Sequence, residues 1–312
     1  MSSRKVYSTL SQFCEDDDRP RKVLLQAGFE VHENPWGRRI QSEEMFDALS
    51  DVDAVLAAVE PYDEKLLTSL SRLRCISRCG IGTDAIDLAT AQRLNISVLT
   101  TPDEVVEPVA QLTLAMMLAL ARNFPLHIED FRNGTWRKYS GCLLSELTVG
   151  LVGFGRIGRA VERYLRQFQP RVIVADPCVD FSTLPSGVKM RSLRELLSEA
   201  DLVSLHASCS PQNKSPLIGR EEIAVMKKAS RLINTSRGSL VDEKALYDAL
   251  QSGHLSGAAF DVFSKEPYSG PLALLPQVLC TPHIATLTRA SRAAMELSCA
   301  MNVVKFFKRE FV

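Results

Sequence analysis

The stretch TVGLVGFGRIGRAVERYLRQFQPRVIVAD, Thr148 to Asp176, constrains the fold more than any other part of the chain. An apolar strand runs into Gly153-x-Gly155-x-x-Gly158, then an amphipathic helix, then a second β-branched strand that ends at Asp176. Two strands joined through a helix must lie parallel, in a sheet covered by helices. A glycine triplet alone says little. Here it occupies the strand-to-helix turn, and an acid follows at about the ~20-residue separation that a dinucleotide site requires. Gly153 allows the tight turn, Gly155 lets the backbone approach a pyrophosphate, and Gly158 lets helix and strand pack closely. The free N–H groups and the dipole of the helix start hold the anion. Asp176 is placed to accept hydrogen bonds from an adenosine ribose diol and to repel a 2′-phosphate, and the following PCVD contains no Arg or Lys. The motif therefore predicts NAD rather than NADP.

At 312 residues the chain fits two modest domains. Lys plus Arg balance Asp plus Glu, 37 against 37, so no net field draws the protein onto nucleic acid or an anionic membrane. A small-molecule or protein partner is expected. The eight cysteines are scattered without Cys-x-x-Cys spacing, which predicts reduced thiols in a cytoplasmic protein and no metal site. MSSRKVYSTLSQF lacks the apolar core of a secretory signal. LTLAMMLALA is far short of the ~20 residues that span a bilayer.

The first hundred residues alternate short apolar runs (Val6 to Thr9, Phe29 to Val31, Ala54 to Ala57, Cys75 to Ser77, Ile96 to Thr100) with helical patterns. This rhythm predicts a parallel sheet. A long helix is expected from near Glu104 to about Arg122, its apolar middle buried between domains or subunits. After LTVGLVGFGRIG come five further strand candidates, in RVIVAD, ADLVSLHAS, SRLINTSRG, GAAFDVF and QVLCTPHI. The stretch Arg289 to Glu310 is helical with no strand after it and is expected to pack back on the first domain. The expected organisation is residues 1–99 with 286–312 as a flavodoxin-like substrate domain and 100–285 as the dinucleotide domain.

Three late strands each deliver a polar residue at their C-terminal end, where a doubly wound sheet binds ligands: Arg237 after LINTS, Glu266 after FDVFSK and His283 after VLCTP. Taken singly, Arg237 caps a turn, Glu266 is a loop acid and His283 packs. Together they match the needs of oxidising a hydroxyl beside a carboxylate. Arg offers a fork for the acid, His a base for the hydroxyl proton, and Glu a partner that raises and steadies the imidazole pKa.

With these motifs the chain resembles the D-isomer-specific 2-hydroxyacid dehydrogenases, most nearly their D-3-phosphoglycerate dehydrogenase branch without its C-terminal regulatory domains. The resemblance covers nearly the whole length. It rests on RCGIGTDAIDL (Arg78 to Leu88), LTVGLVGFGRIGRAV (Leu147 to Val161), INTSRGSLVDEKAL (Ile233 to Leu246), AAFDVFSKEP (Ala258 to Pro267) and TPHIA (Thr281 to Ala285), in family order. It implies an α/β protein of two Rossmann-like, doubly wound parallel-sheet domains with a cleft that closes on its ligands, and a homodimer built around the long helix. It further implies that Arg237, Glu266 and His283 are catalytic, with Arg237 on the substrate carboxylate and carbonyl. Cofactor contacts are implied at Gly153, Gly155, Arg156, Ile157, Gly158, Asp176, Ala207, Thr235 and Asp261, the last facing the nicotinamide carboxamide. Backbone at Gly80, Ile81 and Gly82 would close over the substrate.

The chain departs from the family at Gln111, where Glu is usual, and at Ser208, where the family writes Pro after His206-x; His206 is expected to be structural. Arg78 matches a phosphate-binding arginine of phosphoglycerate-specific relatives, and TWRKYSG adds Arg137 and Lys138. Phosphorylated, small hydrophobic and dicarboxylic 2-oxo acids, glyoxylate and hydroxypyruvate all remain open as substrates. A dinucleotide-sensing interaction protein like the C-terminal-binding-protein corepressors is the alternative class. Formate or phosphonate oxidation is disfavoured, because formate enzymes of the family carry Gln where Glu266 stands.

Overall fold

The computed structural model describes residues 3–208 and 215–309, which form two compact units, Met1–Val105 with Thr286–Val312 and Val106–Ala285. In the first unit five strands, β1 (Arg4–Ser8), β2 (Phe29–Glu33), β3 (Ala54–Ala57), β4 (Cys75–Arg78) and β5 (Ser97–Thr100), pair in parallel in the order β2-β1-β3-β4-β5. Side chains alternate across this sheet because the strand period is two. Tyr7, Val55 and Ile76 therefore join one core. Val6, Leu56 and Cys75 join another, completed by Met295, Cys299, Val303 and Phe307 of the closing helix Arg289–Arg309. The rings of Phe29 and Phe307 meet edge-on at 5.5 Å.

Residues 100–105, assigned to the second domain from sequence, go with the first unit. The Thr101 N–H donates to the Gly80 carbonyl and the Thr101 hydroxyl accepts the Gly80 N–H, at 3.0 and 2.7 Å, which ties the segment to the end of β4.

The second unit holds a seven-stranded parallel sheet of β6 (Thr148–Val152), β7 (Arg171–Ala175), β8 (Lys189–Met190), β9 (Leu202–Leu205), β10 (Arg231–Asn234), β11 (Gly257–Phe260) and β12 (Val278–Cys280). The order is β12-β11-β10-β9-β6-β7-β8, so the winding reverses between β6 and β9. Ligands of doubly wound sheets bind at such a reversal, outside the strands' C-terminal ends. The edge strand β8 carries no sequence signal, being two residues long and half polar. The long helix is Val106–Ala121, and its Met116, Met117 and Leu120 are buried in this unit's core with Val149, Ile233 and Ala259. It breaks at Asn123, whose φ is +54°, and a second helix, Phe124–Arg132, leaves at 67°. Among the described residues no single helix is long and apolar enough to cross a membrane.

His206 follows β9 with its Nε2 3.0 Å from the hydroxyl of the buried Ser204, and burial pushes the imidazole pKa down to about 4. An unfolded histidine takes its proton near pH 6.5. The stability contributed by keeping His206 neutral is therefore complete above about pH 6.5 and is lost as the pH falls toward 4. The loss should approach roughly 3 kcal/mol. Urea unfolding of His206→Asn and of the wild type across pH 7 to 4 checks this, with a flatter acid limb expected for the variant.

Candidate active site

The glycine turn is built as its spacing requires. Gly153 has φ +91°, and a Cβ there would lie 2.5 Å from the Ala207 nitrogen, so only glycine lets the end of β6 pass the end of β9. A Cβ at Gly158 would lie 2.4 Å from the Gly153 carbonyl oxygen. At Gly155 nothing lies within 4 Å of that position, leaving open space where a pyrophosphate would approach. Gly155 begins the helix Arg156–Leu165 with no side-chain cap, so the first amides remain for an anion. Arg156 is exposed and Ile157 half-buried at this start.

Asp176, immediately after β7, does more than its spacing indicates. One carboxylate oxygen accepts the Phe154 N–H of the glycine turn at 2.7 Å, and the other accepts the Cys178 N–H at 2.8 Å. Each oxygen keeps a lone pair to accept a ribose hydroxyl, so these acceptors fit a dinucleotide. Ala207 presents its carbonyl to the Ser236 hydroxyl at 2.6 Å. The Thr235 side chain is buried, its hydroxyl 2.9 Å from that of Thr113 on the long helix.

Arg237, Glu266 and His283 follow the adjacent strands β10, β11 and β12, whose ends pair Asn234 with Phe260 and Phe260 with Cys280. His283 Nδ1 lies 2.8 Å from Glu266 Oε2, and Glu266 Oε1 accepts the Phe263 N–H at 3.0 Å. The carboxylate is thereby oriented by backbone and in turn orients the ring. Both side chains are solvent-accessible, His283 at 46% and Glu266 at 36%, as groups that exchange protons with a ligand must be. Nδ1 is committed to Glu266, so exchange falls to Nε2. The Arg237 guanidinium touches the Ser236 carbonyl at 2.7 Å. Gly238 brings its turn against the Glu266 loop, since a Cβ at Gly238 would fall 1.8 Å from the Phe263 carbonyl carbon.

Asp261 is fully buried, and sequence reasoning gave it a different emphasis. Its Oδ1 accepts the Thr281 hydroxyl at 2.6 Å and the Ile284 N–H at 2.8 Å, and its Oδ2 accepts the Ala285 N–H at 2.9 Å. Its backbone carbonyl accepts the His283 N–H at 2.9 Å. All four bonds hold the turn on which His283 adopts φ +54°, a left-handed conformation uncommon for a non-glycine residue. The carboxylate therefore holds His283 in place, and its Oδ2, with a single hydrogen bond, keeps a lone pair for a further donor.

The remaining predicted residues belong to the first unit. Gly80, with φ +135°, spends its N–H on Thr101, while Ile81 is exposed and Gly82 half-buried. The Arg78 guanidinium folds back on its own loop and donates to the Cys79 carbonyl. Gln111 donates to the Tyr164 hydroxyl at 3.1 Å, and Tyr164 with Arg163 bonds Glu107, so the departure at 111 serves a surface network. Ser208 is exposed after β9. Among the described residues no group of three His, Cys, Asp or Glu side chains is placed to hold a metal.

Comparison with known proteins gives the lineage. Residues 114–285, more than half the chain, match the family described as D-isomer specific 2-hydroxyacid dehydrogenase, NAD binding domain. A D-3-phosphoglycerate dehydrogenase of Methanocaldococcus jannaschii is 34% identical over 287 residues, covering 90% of this chain and 55% of the relative. The chain thus spans about half the length of that relative. A glyoxylate reductase of Pyrococcus furiosus is 33% identical over 299 residues, covering 92% and 89%. The crystal structure of D-lactate dehydrogenase from Aquifex aeolicus, complexed with NAD and lactic acid, superposes with a TM-score of 0.84 at 28% identity, covering 99% and 96%. The chain belongs to the D-isomer-specific 2-hydroxyacid dehydrogenase family.

Proposed function

We propose that the protein is an NAD-dependent dehydrogenase that interconverts a D-2-hydroxy acid and its 2-oxo acid. The observation that carries this reading is the His283–Glu266 pair, held beside the Arg237 turn on the same sheet edge as the glycine turn and Asp176. NAD supplies the hydride acceptor when bound, with Gly153 to Gly158 toward its pyrophosphate and Asp176 toward its ribose. Arg237 binds the substrate carboxylate through its planar fork. His283 takes the hydroxyl proton at Nε2 as C2 loses hydride, and returns it in the reverse direction. Glu266 fixes the ring tautomer and faces the imidazolium that forms. Arg78, on the loop that the family places over substrate, bears on whether the substrate is phosphorylated.

NADH oxidation followed at 340 nm against 3-phosphohydroxypyruvate, glyoxylate, hydroxypyruvate and pyruvate tests the reading. At least one is expected to turn over, and NADH binding with no turnover of any would favour the sensor class. His283→Ala should lower kcat by roughly 10² to 10⁴ while leaving NADH affinity within about twofold. Wild-type turnover in that variant would make the histidine structural.

The long helix Val106–Ala121, around which the resemblance implies a dimer, spends Met116, Met117 and Leu120 on its own unit's core; we infer that two copies pair instead through the helix that follows it, Phe124–Arg132. Phe124, Ile128 and Phe131 recur at helical spacing and are 51, 45 and 69% exposed, and Trp136 and Leu143 beyond them are 82 and 63% exposed. Exposed apolar side chains repeated along one helix, with the Phe131 and Trp136 rings 6.3 Å apart, are characteristic of an interface. Sedimentation should give a dimer for the wild type and a monomer for Ile128→Glu/Phe131→Glu.

A further inference from the structure

A guanidinium grips a carboxylate through two parallel hydrogen bonds only when its plane is held at a fixed angle. Arg237 lies between the end of β10 and the short turn Gly238–Leu240, where no sheet ladder constrains the backbone. Its φ of −142° and ψ of 136° are ordinary for any residue, so local preference does not fix it either. The constraint comes from Asn234, the last residue of β10, which is fully buried. Its Oδ1 accepts the Ser236 N–H at 3.0 Å, and its Nδ2 donates to the Arg237 carbonyl at 2.8 Å. One amide thus spans the turn and holds both of its sides. Its own carbonyl accepts the Asp261 N–H at 3.0 Å, which joins this turn to the segment that carries the His283 support. The Ser236 hydroxyl, bonded to the Ala207 carbonyl, anchors the same turn from the β9 side.

We propose that Asn234 is a positioning residue for Arg237, setting the direction of the guanidinium through the two hydrogen bonds of its side-chain amide. The proposal rests on the reading of Arg237 as the carboxylate-binding residue. Asn234 needs no contact with substrate or cofactor to act this way. A short polar side chain that bonds a backbone N–H two residues on is common in turns. The Arg237 carbonyl also accepts the Leu240 N–H at 3.2 Å, and the Asn234 amide adds the bond that ties it back to the end of β10.

The test is a double-variant cycle read by binding. Oxamate, a carboxylate ligand shaped like a 2-oxo acid, is titrated into the NADH complex of the wild type, Asn234→Ser, Arg237→Ala and the double variant. Serine keeps an acceptor for the Ser236 N–H and cannot reach the Arg237 carbonyl. Asn234→Ser should weaken oxamate on the order of tenfold, as for one lost hydrogen bond at a half-buried carbonyl, with NADH affinity unchanged. The double variant should bind no more weakly than Arg237→Ala alone. Asn234→Asp, which keeps the acceptor and places an oxygen against the Arg237 carbonyl, provides a second measurement of the same sign. Unchanged oxamate affinity in Asn234→Ser, or multiplicative losses in the double variant, would overturn the assignment. A wild-type NADH complex that binds no oxamate would overturn both the assignment and the reading of Arg237, whereas a wild type that binds oxamate without turning over any 2-oxo acid would remove only the dehydrogenase reading.

Discussion

A carboxylate removed from water must recover its hydration through hydrogen bonds, or the fold will not tolerate it. Asp261 does so with a hydroxyl and two backbone N–H groups, all drawn from the five residues Thr281 to Ala285. A third backbone N–H, that of His283, goes to its carbonyl. The turn cannot relax without stranding a buried charge, which is how an imidazole-bearing residue is kept in left-handed backbone space. The position of Nδ1 against Glu266, and hence the availability of Nε2, follows from this one desolvated group.

The parallel sheet makes so economical an arrangement workable. Because every strand of the second unit points the same way, the ends of β6, β7, β9, β10, β11 and β12 all present their loops at one edge. Two buried polar side chains then shape the turns, Asn234 the one after β10 and Asp261 the one after β12, and a backbone bond links the two residues. Glycines settle the spacing between loops: Gly153 against Ala207, Gly238 against Phe263. Polar side chains gather at this edge, and backbone proximity sets their places.

Most of this was legible in the sequence where burial writes a plain pattern. AVLA and RVIVA read as strands because both faces of a parallel sheet are covered, so the strand is apolar throughout. The edge strand β8, Lys189–Met190, has no such pattern because it has no such burial. The boundary fell at Val105 rather than near Thr100 because the Thr101–Gly80 bonds are long-range and leave no mark on spacing. At the site, the identities of Arg237, Glu266 and His283 were visible as residues at strand ends. The second duty of Asp176 toward Phe154, the inward aim of Thr235 and the clamp at Asn234 were not visible. Each depends on which backbone donor a side chain reaches, and periodicity carries no record of that.

The discontinuity of the first unit has a consequence for synthesis. Val6, Leu24, Leu56 and Cys75 share a core with Met295, Cys299, Val303 and Phe307, which the ribosome delivers only after all of Val106–Ala285. At cellular elongation rates that is a delay on the order of ten seconds or more. Throughout that interval one face of the first sheet is bare, and by its end the second unit, continuous in sequence, has every residue of its own core while the first still lacks its last helix. The second unit can therefore close its core before the first, and the face awaiting the last helix is the apolar surface that the nascent chain exposes longest.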